Sequence, residues 1–177
     1  DVYKRQNMGC PAKKVCKRAA GSALLKEPEL VNKILISVVD AVEVPVTLKI
    51  RTGWDKTTIN AIQIAKIAEN AGISALAIHG RTRACRFVGE VEFETIARVT
   101  ESISIPVFAN GDIDSPKKAK DVIEKTGATA VMIGRSALGK PWIFDQINEY
   151  LSHGTLYRQP SKEEIQKIVM THLKSIH

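Results

Sequence analysis

The chain is short of cysteine, of long apolar runs and of hydrolytic signatures, and each shortage excludes something. Its three cysteines, Cys10, Cys16 and Cys85, fit no zinc-ligand spacing, and an odd number argues against a disulfide framework. Reduced thiols, no metal site and a cytoplasmic location are the expectation. The longest apolar stretch, Ile34 to Val46, is interrupted by Asp40 and Glu43 and falls short of a bilayer span. No secretory signal opens the sequence, so no membrane partner is expected. There is no HExxH, no Walker-type loop and no ordered Ser/His/Asp set, which leaves hydrolase readings without support.

Acidic charge is nearly absent from the amino-terminal part. Residues 1 to 26 hold seven Lys or Arg against Asp1 alone, which accounts for six of the net seven positive charges. Arg81, Arg83 and Arg86 add a second basic cluster. Such a surplus is either a solvated basic face or a surface for a polyanion such as nucleic acid.

At 177 residues, with 44% hydrophobic and 25% charged, the composition is that of an ordinary globular protein. Asn7-Met8-Gly9-Cys10-Pro11 places a thiol at a corner that neither helix nor strand can cross, because proline removes a backbone donor and restricts its predecessor. Cys10 therefore stands at the end of an element, either as an inert turn cysteine or as a reactive thiol beside Lys13 and Lys14. Pro28 opens a helix over about 28–41, with Leu30, Ile34, Val38 and Val39 at helical spacing. Val44 to Arg51 reads as a strand, Ile59 to Ala68 as a helix closed by Gly72, and Ala75 to His79 as another strand.

The second half repeats the first. Val44-Pro45-Val46 returns as Ile105-Pro106-Val107, and Gly72-Ile73-Ser74-Ala75 returns as Gly127-Ala128-Thr129-Ala130. Ser115 and Pro116 cap and begin the helix between the later strands, and Ser161-x-x-Glu164 is a capping box before another helix. Repeated strand–loop–helix units with nearly all-apolar strands predict an α/β fold with a parallel sheet buried on both faces. Polar residues follow each strand, which points to a (β/α)8 TIM barrel with its site at the carboxyl ends of the strands; an open doubly wound sheet is the alternative. About five strands are supplied where a barrel needs eight, so the reading is a partial barrel, about strands 4 to 8, followed by the start of a helical domain. Residues 1–6 show a poor strand pattern and read as a non-native leader.

At successive strand ends, Asn110-Gly111-Asp112 and Gly134-Arg135 form a pair suited to a phosphate. Lys49 and Arg51 alternate with Leu48 and Ile50 and so share one side of a strand. Lys49 there meets either an anionic or electron-rich ligand or a neighbouring carboxylate. His79 is either a hydrogen-bonded structural histidine or a ligand contact.

Five motifs in order, Asn7-Met8-Gly9-Cys10-Pro11, Leu48-Lys49-Ile50-Arg51-Thr52-Gly53-Trp54, Ile78-His79-Gly80-Arg81-Thr82, Asn110-Gly111-Asp112-Ile113 and Ile133-Gly134-Arg135, resemble those of bacterial tRNA-dihydrouridine synthases, B-type subgroup. The resemblance implies an FMN enzyme that uses NADPH to reduce uridine to 5,6-dihydrouridine in the tRNA D-loop, monomeric at full length. It implies Cys10 as the general acid toward uracil, so a resting thiol rather than a thiolate. It further implies flavin contacts from Lys49 and His79, an FMN phosphate site at Asn110, Gly111, Asp112, Gly134 and Arg135, and substrate contacts from Asn7, Arg51 and the loop that begins at Arg81. Residues 7–155 then form the carboxyl-terminal part of the barrel and residues 160–177 the start of a tRNA-binding domain. The sequence departs from the family at Cys16, where Asn is usual, and at Lys4 to Gln6. On this reading the isolated chain is expected to be unstable and inactive. A non-catalytic RNA-binding relative and a dihydroorotate-type FMN oxidoreductase are the alternatives.

Overall fold

The computed structural model describes residues 2–155 and 158–176. Five strands form one parallel sheet: β1 (Lys4–Asn7), β2 (Val46–Arg51), β3 (Ala75–His79), β4 (Val107–Asn110) and β5 (Ala130–Met132). Their spatial order, β1-β2-β3-β4-β5, is the chain order. Five helices interleave with or flank them: α1 (Lys13–Cys16), α2 (Pro28–Asp40), α3 (Ala61–Asn70), α4 (Glu94–Ser102) and α5 (Pro116–Thr126). α6 (Ile143–His153) and α7 (Lys162–Ile176) follow. A doubly wound sheet reverses its strand order at a switch point; this sheet, among the described residues, does not reverse.

The periodicities of the sequence explain where the core lies. Leu48 and Ile50 of β2, with Leu76 and Ile78 of β3, are fully buried and join Ile64 and Ala65 of α3, Ile96 and Val99 of α4, and Val31 and Leu35 of α2 in one apolar cluster. Burying each of the larger side chains stabilises the fold by about 1.5–3 kcal/mol, so this seam outweighs any polar contact described below. The expected burial on both faces holds for β3 and fails at the edges: β5 is only half-buried and β1 is mostly exposed.

Local signals place most element ends. Ser115 Oγ accepts from Lys118 N at 3.4 Å, with Pro116 at the first position of α5. At α7 the capping box is reciprocal, Glu164 N donating to Ser161 Oγ (3.3 Å) and Ser161 N to a Glu164 carboxylate oxygen (2.7 Å). Two differences have physical causes. Ile59, expected inside a helix, instead bridges Gly53, and α3 starts only at Ala61, where the Asn60 and Ala61 amides donate to Thr52 O. Lys4 to Gln6, set apart in the sequence reading, pair with Val46 to Leu48 in β1. Parallel pairing uses backbone groups alone, so exposed Lys4 and Arg5 are tolerated at the sheet edge.

Candidate active site at the carboxyl ends of the strands

The register of the sheet sets the site. Asn7 pairs with Lys49, Arg51 with His79, His79 with Asn110 and Asn110 with Met132. Positions scattered over 126 residues of sequence thus stand in two adjacent rows of one face, Asn7 and Lys49 in the lower and Arg51, His79, Asn110 and Met132 in the row two residues nearer the carboxyl ends. Above these rows lies a cavity of about 730 Å³, lined by ten of the eleven residues singled out from the sequence: Asn7, Cys10, Lys49, Arg51, His79, Asn110, Gly111, Asp112, Gly134 and Arg135. Its size is that of a small-molecule site. Arg81 is the exception; it lies behind the wall, 3% exposed.

Cys10 sits three residues past β1, after Met8, whose amide extends the ladder by donating to Lys49 O at 2.8 Å and whose side chain is fully buried. Lys13 and Lys14, read as possible activators of the thiol, are exposed on α1. Lys49 Nζ donates to Asn110 Oδ1 at 3.0 Å, and Asn110 Nδ2 donates to Met132 O at 2.8 Å. The lysine's partner is therefore a neutral amide rather than a carboxylate. Burial, reinforced by Arg51 and Arg5, lowers its pKa from 10.5 to about 8. A cation held this way gains from an incoming anion.

His79 is 8% exposed, and its Nε2 is buried without a hydrogen-bond partner. Burial first, then Arg51, Lys49 and Arg81, push its pKa down to about 3, so the ring is neutral at physiological pH. A buried polar atom with no partner is uncommon, and this one belongs to a cavity-lining side chain.

Asp112 joins two arginines. Arg81 donates to both carboxylate oxygens at 3.0 and 2.5 Å, and Arg135 to one at 2.7 Å. These bonds, Arg81's first, lower its pKa to about 2. Arg81 also donates to Gly89 O, fixing the loop that follows β3. Arg135 remains 61% exposed and free to meet a ligand on its other face. Gly111, at φ 132°, has no room for a side chain: a Cβ would lie 2.8 Å from Val91 and 3.0 Å from the His79 ring.

Arg51, expected to face substrate, spends its guanidinium on the protein. Nε donates to Gly9 O (3.0 Å), and Nη1 to Thr82 O (2.9 Å) and Arg86 O (2.7 Å), in a residue that is 2% exposed. Sequence reasoning missed Phe87, which lines the cavity, is 54% exposed, and has the Arg51 and Arg135 guanidinium carbons 5.4 and 5.2 Å from its ring centre. The available signal was an aromatic residue within an arginine-rich loop.

Cys16 and Cys85 face protein groups: Cys16 Sγ donates to Cys10 O at 3.6 Å, and Thr82 Oγ1 lies 3.2 Å from Cys85 Sγ. All three thiols are free. Among the described residues, no cluster of ligands could hold a metal ion and no helix is long and apolar enough to cross a membrane.

Known proteins share this sequence pattern. A tRNA-dihydrouridine synthase B of Pseudomonas syringae pv. tomato is 58% identical over 97% of this chain and 51% of its own length. One of Vibrio vulnificus is 58% identical over 97% of this chain and 53% of its own length. The chain thus spans about half the length of the curated relatives it matches. Among solved structures, a Burkholderia cenocepacia protein described as a phosphonomutase superimposes with a TM-score of 0.50 at 13% identity, covering 66% of this chain and 54% of that one, a likeness of fold alone. The sequence profile of the dihydrouridine synthase (Dus) family matches residues 6–177, nearly the whole chain and every strand end of the cavity, and the chain belongs to that family.

Proposed function

We propose that this chain is part of a tRNA-dihydrouridine synthase, which reduces a D-loop uridine of tRNA to 5,6-dihydrouridine with FMN as cofactor and NADPH as reductant. One observation carries the reading: in a member of this family, a thiol, a poorly solvated lysine, a neutral histidine and two glycine-containing strand ends converge on one cavity. The five parallel strands in chain order support a partial (β/α)8 barrel, about strands 4 to 8, in residues 7–155. Residues 160–177, which contain α7, begin the helical tRNA-binding domain. The parent protein works in the cytoplasm as a monomer.

The residues present fit FMN. The unpartnered His79 Nε2 and the Lys49 ammonium offer polar contacts to a ring with heteroatom edges, and Gly134, beside whose Cα a Cβ would meet nothing within 4 Å, leaves space near Arg135 for a phosphate. When bound, the reduced cofactor supplies the hydride to C6 of uracil. The protein's task is the proton: Cys10 Sγ–H gives it to C5, and the resulting thiolate regains a proton from solvent. Asn110 holds Lys49 toward the cofactor, Gly111 and Gly134 present backbone to the phosphate, and Asp112 fixes Arg135 beside it. A uracil must leave its stack to reach such a cavity, and the basic loop with exposed Phe87 offers stacking and charge at the entrance.

The test uses the full-length gene product that carries this sequence. Cys10→Ala is expected to retain bound flavin by its absorbance and to lose about 10²–10⁴-fold in dihydrouridine formation, the usual share of a general acid. Turnover within threefold of the parent refutes Cys10 as the acid.

A further inference from the structure

Cys10 is held through both of the peptide groups that flank it, and Ser22 and Gly21, which hold one of them, lie outside the cavity lining. Its own carbonyl oxygen accepts three donors: Ser22 Oγ at 2.7 Å, Ser22 N at 3.1 Å and the weaker Cys16 Sγ at 3.6 Å. Ser22 is fully buried and lies in the 3-10 turn Gly21–Lys26, twelve residues from Cys10. Gly21 brings that turn in close: at φ 60°, its Cβ would lie 2.8 Å from Cys10 O and 3.0 Å from Cys10 Cβ. On the other side, the carbonyl of Gly9 accepts from Arg51 Nε at 3.0 Å. Two fixed carbonyls define the planes of two successive peptides, and these set the direction of the Cα–Cβ bond between them.

We propose that Ser22 is a positioning residue for the Cys10 thiol. Its hydroxyl fixes the Cys10 carbonyl, Gly21 lets the turn approach closely enough to do so, and Arg51 secures the preceding peptide. Proton transfer demands placement within hydrogen-bond reach of the acceptor, and a misplacement of about 1 Å costs on the order of 10²-fold in rate. A thiol on a short side chain has one rotatable bond, so its backbone decides where the sulfur can go. The same Arg51 guanidinium also binds Thr82 O and Arg86 O, which keeps the thiol corner in register with the arginine-rich loop. The inference rests on Cys10 as the acid, and its test separates the two.

In the full-length gene product, Ser22→Ala removes the hydroxyl while Ser22 N still reaches the carbonyl, so folding and flavin content serve as controls. Expected are a kcat about tenfold lower, a KM for tRNA within twofold of the parent, and unchanged flavin content. The second readout needs no turnover: the rate of Cys10 alkylation by iodoacetamide, followed by mass spectrometry on the tryptic peptide Gln6–Lys13, which separates Cys10 from Cys16. That rate is expected to rise at least threefold as the thiol is released. Alkylation within 1.5-fold of the parent overturns the positioning role, whatever turnover does. Altered alkylation with Cys10→Ala still turning over supports positioning and sinks the acid reading. If Ser22→Ala lowers flavin content, the alkylation rate of the flavin-free parent becomes the reference. Gly21→Ala, which forces the turn away from Cys10, is expected to reproduce the alkylation change.

Discussion

Acid should weaken the fold through one side chain, His79, well before the carboxylates titrate. The ring is 8% exposed and its pKa falls to about 3 in the folded state, chiefly through burial, with Arg51, Lys49 and Arg81 adding to it. Unfolded, the same imidazole titrates near 6.5. Between those values the unfolded chain binds a proton that the folded one refuses, so stability falls as pH drops below 6.5 and is unaffected above it. The limiting slope is about 1.4 kcal/mol per pH unit, which gives a loss of about 2.5 kcal/mol between pH 6.5 and 4.5. Against a typical total of about 5–15 kcal/mol, that is easily measured. Urea denaturation of flavin-free full-length protein at pH 7.0, 6.5, 5.5 and 4.5, for the parent and for His79→Gln, isolates the effect. His153 and His172 are exposed and common to both proteins. The gap between the two curves should open below pH 6.5 by about 2.5 kcal/mol. Parallel curves across the range would refute the burial argument and, with it, the neutral ring assigned to the site.

Three further outcomes are expected. Asp112→Asn keeps the shape at a position of positive φ (45°) that Asn tolerates; with Asp112 41% exposed and screened by solvent, the loss at pH 7 is about 1 kcal/mol. Because the folded pKa is depressed to about 2, that difference should fade as pH falls from the unfolded value near 3.8 toward 2, and a urea midpoint gap at pH 2.5 that is undiminished from its pH 7 value contradicts the ion-pair account. Lys49, with a pKa of about 8, should bind FMN best when charged: affinity falls as pH rises through 8, by at most about tenfold per unit, and calorimetry at pH 8.5 records proton uptake, whereas a flat profile denies the lysine a contact with the anion. Gly111→Ala, at φ 132° with Val91 2.8 Å from the new Cβ, should destabilise by about 1–3 kcal/mol and lower flavin content; an unchanged melting temperature would show that the loop relaxes freely.

Most of the site was legible because its residues lie at or just past strand ends. Mostly apolar runs that end in Arg51, His79 and Asn110 mark the ends of β2, β3 and β4 without any coordinates, and parallel topology alone gathers such ends at one edge. The helices α4 and α6 were less legible. Their apolar residues do recur at helical spacing, Ile96 and Val99 in α4 and Ile143 and Ile147 in α6, but Phe93 and Trp142 stand at their amino-terminal caps with no side-chain capping bond to announce the start. Residues 4–6 misled for the opposite reason, since an edge strand needs no pattern of its own when its neighbour supplies the backbone partners.

What the amino-acid sequence determined by itself was local: strand and helix periods, the Ser115 and Ser161 caps, the cysteine between glycine and proline, and the polar residues after each strand. What only the tertiary structure decided was which of those residues remain available. Arg51 and Arg81 read alike as cations at a site, yet the fold buries both and commits their fork-shaped donors to carbonyls and to Asp112, while Arg135 stays exposed. Ser22 carried no signal at all. Its hydroxyl matters only because the turn at Gly21 folds back onto Cys10, and a contact across twelve residues of chain exists once the backbone closes and not before.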